Sequence, residues 1–267
     1  MKLSCQEHLV PGNTLKEKWD WLEENGFQGI ELWAFDMNSK ITEIKKAVAQ
    51  SSQVQISALC GGYEGNLFDP SIQAKKSAVA GVKQLIQSAS EIGAPGIILV
   101  PSFGTSQSLG VLNSPQSLLQ KDIESFAETL SELAEEAQRY DVQLYLEPIN
   151  RYESFAFHQV KQVAEVCAIV HSPVLSLLVD TFHMNIEEAS ISETIEKYHS
   201  YIGYVHFADS NRLVPGYGHI DFPDILRTLQ KVNYDGFVSL ECFIRHEQDL
   251  IEARKYIWSA TKQVREG

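Results

Sequence analysis

The chain has 267 residues, 44% of them hydrophobic, and a formal net charge of −13 at pH 7. The length suits an α/β barrel, which commonly uses about 250 residues as a single domain, and the acidic balance disfavours a nucleic-acid backbone or an anionic membrane surface as partner. The four cysteines, Cys5, Cys60, Cys167 and Cys242, are scattered with no CxxC pair, MKLSCQEHLVPG lacks the apolar stretch of a signal peptide, and no apolar run suits a membrane span; together these predict a reduced, soluble, cytoplasmic protein.

The predicted elements alternate strand and helix from end to end. The first strand is KLSCQE, Lys2 to Glu7, followed by a helix over about Thr14 to Asn25. Thr14 and Glu17 have the spacing of a capping box, and Gly26 supplies a C′ stop. The second strand is GIELW, Gly29 to Trp33, with a helix near Ser39 to Gln50. The third is VQISALC, Val54 to Cys60, leading into the loop Gly61 to Gly65 and a long helix opened by Asp69-Pro70 and ended before Gly93. The fourth is GIILVP, Gly96 to Pro101, with the loop Ser102 to Asn113 and a helix from Ser114-Pro115 to about Tyr140. Strands five to eight are VQLYLE, VLSLLVD, IGYVHF and FVSLE, with helices near His158 to Val170, Ile186 to His199, Asp221 to Val232 and His246 to Val264. Runs such as IILV and LSLLV, apolar throughout, suit a parallel sheet buried on both faces. The open doubly wound rival begins with a GxGxxG turn, which the first strand lacks. Eight β/α units without a dividing linker predict one (β/α)8 TIM barrel over residues 1–267, its active site at the C-terminal ends of the strands.

Strands five to eight end on Glu147, Asp180, His206 and Glu241. A lone carboxylate at a strand end is usually a helix cap or a solvated loop residue, and a lone histidine is usually a hydrogen-bonded core residue. Three carboxylates converging beside buried strands would repel each other and lose solvation, so four such ends in succession call for a cation. The oxygen-rich set suits Mn²⁺, Mg²⁺ or Co²⁺ better than a thiolate-type zinc site. Alternation along the strand turns Cys242 away from the direction of Glu241. Glu153, His183 and Arg212 lie in loops beyond these strand ends and can face the same cavity, while Asp209 reads as a residue orienting a ligand or Arg212.

The segments EPINRYE, VDTFHMNIEE, HFADSNR with GYGHIDF, and SLE resemble the xylose-isomerase-like sugar isomerase/epimerase family, closest to the D-tagatose/D-psicose (allulose) 3-epimerases. The resemblance covers essentially the whole chain and is strongest from Glu147 to Glu241. It implies one divalent ion, Mn²⁺ ahead of Co²⁺ or Mg²⁺, on Glu147, Asp180, His206 and Glu241. It implies Glu153, His183 and Arg212 as contacts to O1–O3 of a ketose, and a homodimer or homotetramer. Those epimerases present an aromatic-rich first strand to the distal end of the sugar. SCQEHLVPG here is not aromatic, and the fourth loop PSFGTSQSLG is more polar, so the differences fall at the far carbons.

The expected activity is metal-dependent 3-epimerisation of a free keto-sugar through a cis-enediolate. Glu147 and Glu241 remove and return the C3 proton from opposite faces. The alternatives are an aldose–ketose isomerase of the hydroxypyruvate-isomerase-like type and a dehydratase on the same scaffold. A multi-zinc DNA-repair endonuclease is disfavoured by the net charge and the single histidine among the four ligands. A sugar-binding protein without catalysis is disfavoured by the two opposed carboxylates.

Overall fold

The computed structural model describes residues 1–51, 53–69, 71–104 and 120–266. Eight strands, β1 Lys2–Gln6, β2 Gly29–Trp33, β3 Gln55–Cys60, β4 Gly96–Leu99, β5 Gln143–Leu146, β6 Leu175–Asp180, β7 Ile202–Phe207 and β8 Phe237–Leu240, pair in sequence order and close on themselves. Every pairing is parallel, and β1 seals the barrel against β8 with Ser4 opposite Ser239. The described helices are α1 Leu15–Glu24, α2 Met37–Gln50, α3 Ile72–Ile92, α4 Gln120–Arg139, α5 Val160–Val170, α6 Thr181–Glu187, α7 Ile191–Tyr198, α8 Phe222–Lys231 and α9 Gln248–Glu266.

The strands' two faces separate two apolar regions. The larger packs the outer strand face against the helices, with Trp19, Phe27, Phe126, Phe207 and Phe222 among its fully buried side chains. The smaller fills the barrel's interior with Ala58, Ile98, Tyr145, Leu178 and Tyr204. Cys242 belongs to the outer region, as alternation requires, and the four cysteines are free.

The expected capping box holds: Thr14 Oγ1 accepts from Glu17 N at 3.2 Å and Glu17 Oε2 accepts from Thr14 N at 3.2 Å. Two helix expectations need correction, and a third lies outside the described residues. The N-cap of α3 is Ser71, whose hydroxyl accepts from Ala74 N at 3.3 Å. Asp69 forms the turn before it by accepting from Ser71 N at 2.8 Å, and Pro70 lies outside the described residues. The expected start of the fourth helix at Ser114-Pro115 also lies outside them. The segment read as one helix over Ile186 to His199 is two, because Asp180 caps α6 and Ser190 caps α7, with extended backbone at Glu188 between them. Sequence periodicity misses a helix of seven residues that begins directly on a strand end.

Candidate active site

Strand parity carries the site upward from the barrel's interior. Inward residues alternate, so Tyr145 is followed by Glu147, Leu178 by Asp180, Tyr204 by His206 and Ser239 by Glu241. The register places Asp180 beside His206 and His206 beside Ser239. One ligand atom from each of Glu147, Asp180, His206 and Glu241 lies within 4.8 Å of the others. His206 Nδ1 sits 3.2 Å from Glu241 Oε2, 3.5 Å from Glu147 Oε1 and 4.0 Å from Asp180 Oδ2. Glu147 Oε1, Asp180 Oδ2 and His206 Nδ1 are buried without a hydrogen-bond partner. Buried polar atoms are normally satisfied, and three orphans aimed at one point fit a cation between them. Asp180 does two things at once: Oδ1 caps α6 through Phe182 N at 2.6 Å, and Oδ2 faces the cluster.

The support beneath this cluster comes from β1 and β2, and sequence reasoning missed it. Glu31 Oε2 accepts from His206 Nε2 at 2.9 Å, in a strand otherwise apolar. This places a proton on Nε2 and turns Nδ1 toward the cluster, as a carboxylate behind a metal-binding imidazole does. Tyr204 Oη lies 3.0 Å from the same oxygen and 2.8 Å from Ser57 Oγ. Gln6 Nε2 donates to Glu31 Oε1 and to Glu241 Oε1, each at 2.8 Å. The available signal was the parity of Gln6 and Glu31: a carboxylate between Ile30 and Leu32 on a buried strand needs buried partners.

Above the cluster stand the loop residues. Asn150 Nδ2 donates to His183 Nδ1 at 2.7 Å and to Glu153 Oε1 at 2.8 Å. His183 therefore carries its proton on Nε2, which faces Asp180 Oδ2 at 3.9 Å and Glu147 Oε1 at 4.0 Å. Asn150 also escaped sequence reasoning, because an asparagine two residues after proline reads first as a turn. Arg212 reaches across to Glu241 Oε2 at 3.4 Å and Glu153 Oε1 at 3.6 Å, with its guanidinium 4.7 Å above the Phe182 ring. Its backbone is left-handed, φ 59°, a conformation that costs a non-glycine residue about 1–2 kcal/mol. Asp209 holds that loop: its side chain accepts from the backbone amides of Ser210, Gly216 and Ile220, and its carbonyl accepts from Arg212 N at 2.8 Å. Asp209 thus orients Arg212 through the backbone and touches none of the four clustered residues by any of these bonds.

The electrostatics follow from burial. Desolvation pushes Glu147 up to about 7 against the pull of His206. Asp180 is raised well above the carboxylate range by burial and by Glu241 and Glu147. Burial also opposes ionisation of Glu241, but the facing His206 and Arg212 hold it low. Burial and Arg212 together hold His183 at about 3, so it is a neutral donor. Carboxylates that resist ionisation when buried together are a set that a divalent charge would discharge.

Over the cluster opens a cavity of about 500 Å³, within the range of small-molecule sites. Glu147, Glu153, His183, Arg212 and Glu241 line its polar side. Trp33, Phe35, Tyr63 and Phe103 are among the residues that line the rest, with Trp33 and Phe35 rings 5.3 Å apart. Trp33 ends β2 and Phe35 follows it, Tyr63 follows β3 and Phe103 follows β4, so the aromatic lining comes from the second, third and fourth strands.

The fold and this site together define a class of proteins. The model of the xylose isomerase-like TIM barrel family matches residues 19–262, and the chain belongs to that family; it is an isomerase of the sugar-epimerase kind. Among relatives, it is 29% identical over 92% of its length, and 94% of the relative's, to 3-dehydro-D-guloside 4-epimerase of Escherichia coli strain K12. It is 30% identical over 82% of its length, and 75% of the relative's, to D-psicose 3-epimerase of Ruminiclostridium cellulolyticum. The apo crystal structure of 3-keto-D-glucoside 4-epimerase from E. coli superposes with a TM-score of 0.88 at 27% identity, covering 97% of this chain and 99% of that one. Among the described residues no helix is long and apolar enough to cross a membrane.

Proposed function

We propose that this chain is a divalent-metal-dependent keto-sugar epimerase, one barrel unit over residues 1–267, that inverts a carbon next to a ketone. One observation supports it most: two carboxylates from strand ends three strands apart, Glu147 and Glu241, both approach His206 Nδ1, beneath a cavity lined by His183, Arg212 and Glu153. Inversion needs two, because a proton leaves one face of the sugar and another arrives at the opposite face.

In this reading Glu147, Asp180, His206 and Glu241 would hold the ion, Mn²⁺ ahead of Co²⁺ or Mg²⁺. Bound there, a divalent ion supplies Lewis-acid polarisation of the substrate carbonyl. Either Glu147 or Glu241 takes the proton α to the ketone, and the other delivers one to the opposite face; the roles exchange with direction. His183 donates from Nε2 to a substrate oxygen, and Arg212 offers a fixed charge to the enediolate. Glu153, tied to Asn150 and facing Arg212, accepts from a substrate hydroxyl at the carbonyl end. We also propose a homo-oligomer in the cytoplasm.

The position inverted separates two substrates. A 2-ketose would be inverted at C3, as in the D-psicose 3-epimerases to which the chain is similar. A 3-keto-glycoside would be inverted at C4, in line with the likeness to the keto-guloside 4-epimerase along nearly its whole length. Both use a proton α to a ketone. We favour the free 2-ketose. Incubating free ketoses and 3-keto-glycosides in D₂O with Mn²⁺ and following them by proton NMR tests the choice. Deuterium at C3 with a C3-inverted product is expected. An aldose product with deuterium at C2, or recovered ketose with deuterium at C1, would make the enzyme a 1,2-isomerase, and an enone absorbance would make it a dehydratase. A C4-inverted glycoside would move the substrate to the second reading, and no exchange into any candidate would refute proton transfer.

A further inference from the structure

A second group of metal-ligating side chains adjoins the first. Ligand atoms of Glu31, Cys60 and Glu241 lie within 4.8 Å of one another. Because Glu241 belongs to both groups, it is placed as a bridging carboxylate would be between two metals. The space among these three side chains is filled by the amide of Gln6. Gln6 Nε2 lies 2.8 Å from Glu31 Oε1, 2.8 Å from Glu241 Oε1 and 3.9 Å from Cys60 Sγ. A primary amide nitrogen has two hydrogens, and both are taken by carboxylates here. The opposite amide orientation would press an oxygen against two carboxylates, so the nitrogen is the atom that must point inward.

We propose that Gln6 keeps this a one-metal centre: its amide nitrogen occupies the position a second cation would take, and it fixes the Glu241 carboxylate that the site uses. Gln6 is a positioning residue in this account. It engages Glu241 Oε1, which leaves Oε2 facing His206 Nδ1 at 3.2 Å and Arg212 at 3.4 Å. Through Glu31 it also reaches the imidazole, since Glu31 binds Gln6 on one oxygen and His206 on the other. A single chain of hydrogen bonds, Glu241–Gln6–Glu31–His206, therefore braces two of the four clustered residues from strands that contribute none of them. Gln6 is 2% exposed and Glu31 fully buried, so water cannot replace either bond cheaply.

Gln6→Glu is the informative substitution. It is close to isosteric, yet it puts a third carboxylate where a donor stood, beside Glu31, Glu241 and Cys60. The inference rests on the four-residue cluster being the metal site, and Mn²⁺ stoichiometry at pH 8 separates the two. Wild type should hold one Mn²⁺ per chain and Gln6→Glu two, with the magnetic coupling of a close Mn²⁺ pair in its electron paramagnetic resonance spectrum. Wild type with one ion and a folded Gln6→Glu chain with one ion would overturn this proposal alone. Wild type with none would remove the four-residue reading and this proposal with it. Gln6→Leu covers the case in which Gln6→Glu does not fold: it keeps the bulk, removes both donors, and should weaken Mn²⁺ binding by about 10–100-fold. Binding by Gln6→Leu within twofold of wild type would also overturn the proposal.

Discussion

Strands β5 to β8 and strands β1 and β2 contribute to the same cluster in different ways. The first group ends on Glu147, Asp180, His206 and Glu241, three of which keep a buried polar atom without a partner. The second brings Gln6 and Glu31, whose side chains spend their bonds on Glu241, His206, Tyr204 and each other. Unspent atoms mark where something outside the chain binds. Fully spent atoms mark what aims them. The contrast separates residues that act on a ligand from residues that act on other residues, and substitutions in the two groups should differ in kind.

The largest effect is expected at the proton-carrying carboxylates. Glu147→Gln and Glu241→Gln should each lower turnover by about 10²–10⁴-fold with an unchanged far-UV circular dichroism spectrum. Near-wild-type epimerisation by either would erase the contrast. Next comes Glu31→Ala, which frees His206 Nε2 and should weaken Mn²⁺ binding about 10–100-fold by calorimetric titration. Unchanged affinity would show that the imidazole is held without it. Asn150→Leu leaves His183 Nδ1 only the long bond from the backbone N–H of residue 150 at 3.4 Å and should cost about tenfold in kcat/KM with Mn²⁺ affinity unchanged, because the Asn150 side chain touches the loop residues and not the cluster.

A smaller effect concerns stability and tests the loop that carries Glu153. Glu187 binds the Arg151 guanidinium through both oxygens, at 2.8 and 2.7 Å, and accepts from Arg151 N. Although burial opposes it, the bonds from Arg151 hold the Glu187 carboxyl below its ordinary 4.5. A depressed folded value means that this stabilisation is present above pH 4.5 and is lost as pH falls through the folded value. Glu187→Gln should lower stability by about 2 kcal/mol at pH 7. It should also flatten the acid side of a plot of melting temperature against pH below 4.5. An acid limb identical to wild type would remove the clamp from the account.

The barrel was legible because eight buried runs alternate with capped amphipathic segments, and a parallel closed sheet buries both faces of such runs. The four clustered residues were legible for a related reason: each is the first residue after a buried run, where a charge stands out. Gln6 and Glu31 stand inside the pattern rather than at its end, and only closing β1 and β2 against β8 and across from β7 reveals that they meet His206 and Glu241. The Asp180 helix was hidden because the residue that ends the strand also starts the helix, leaving no loop between them. Arg212 was found from its neighbours HFADSN, but its left-handed backbone and the Asp209 brace depend on a loop whose bonds run between residues up to eleven apart.

The central claim is that one divalent ion sits among the unspent atoms of β5 to β8. Anomalous diffraction from crystals of the chain soaked in Mn²⁺ tests it most directly. The account predicts one strong peak enclosed by Glu147 Oε1, Asp180 Oδ2, His206 Nδ1 and a Glu241 oxygen. A strong peak elsewhere with none at that point would contradict it.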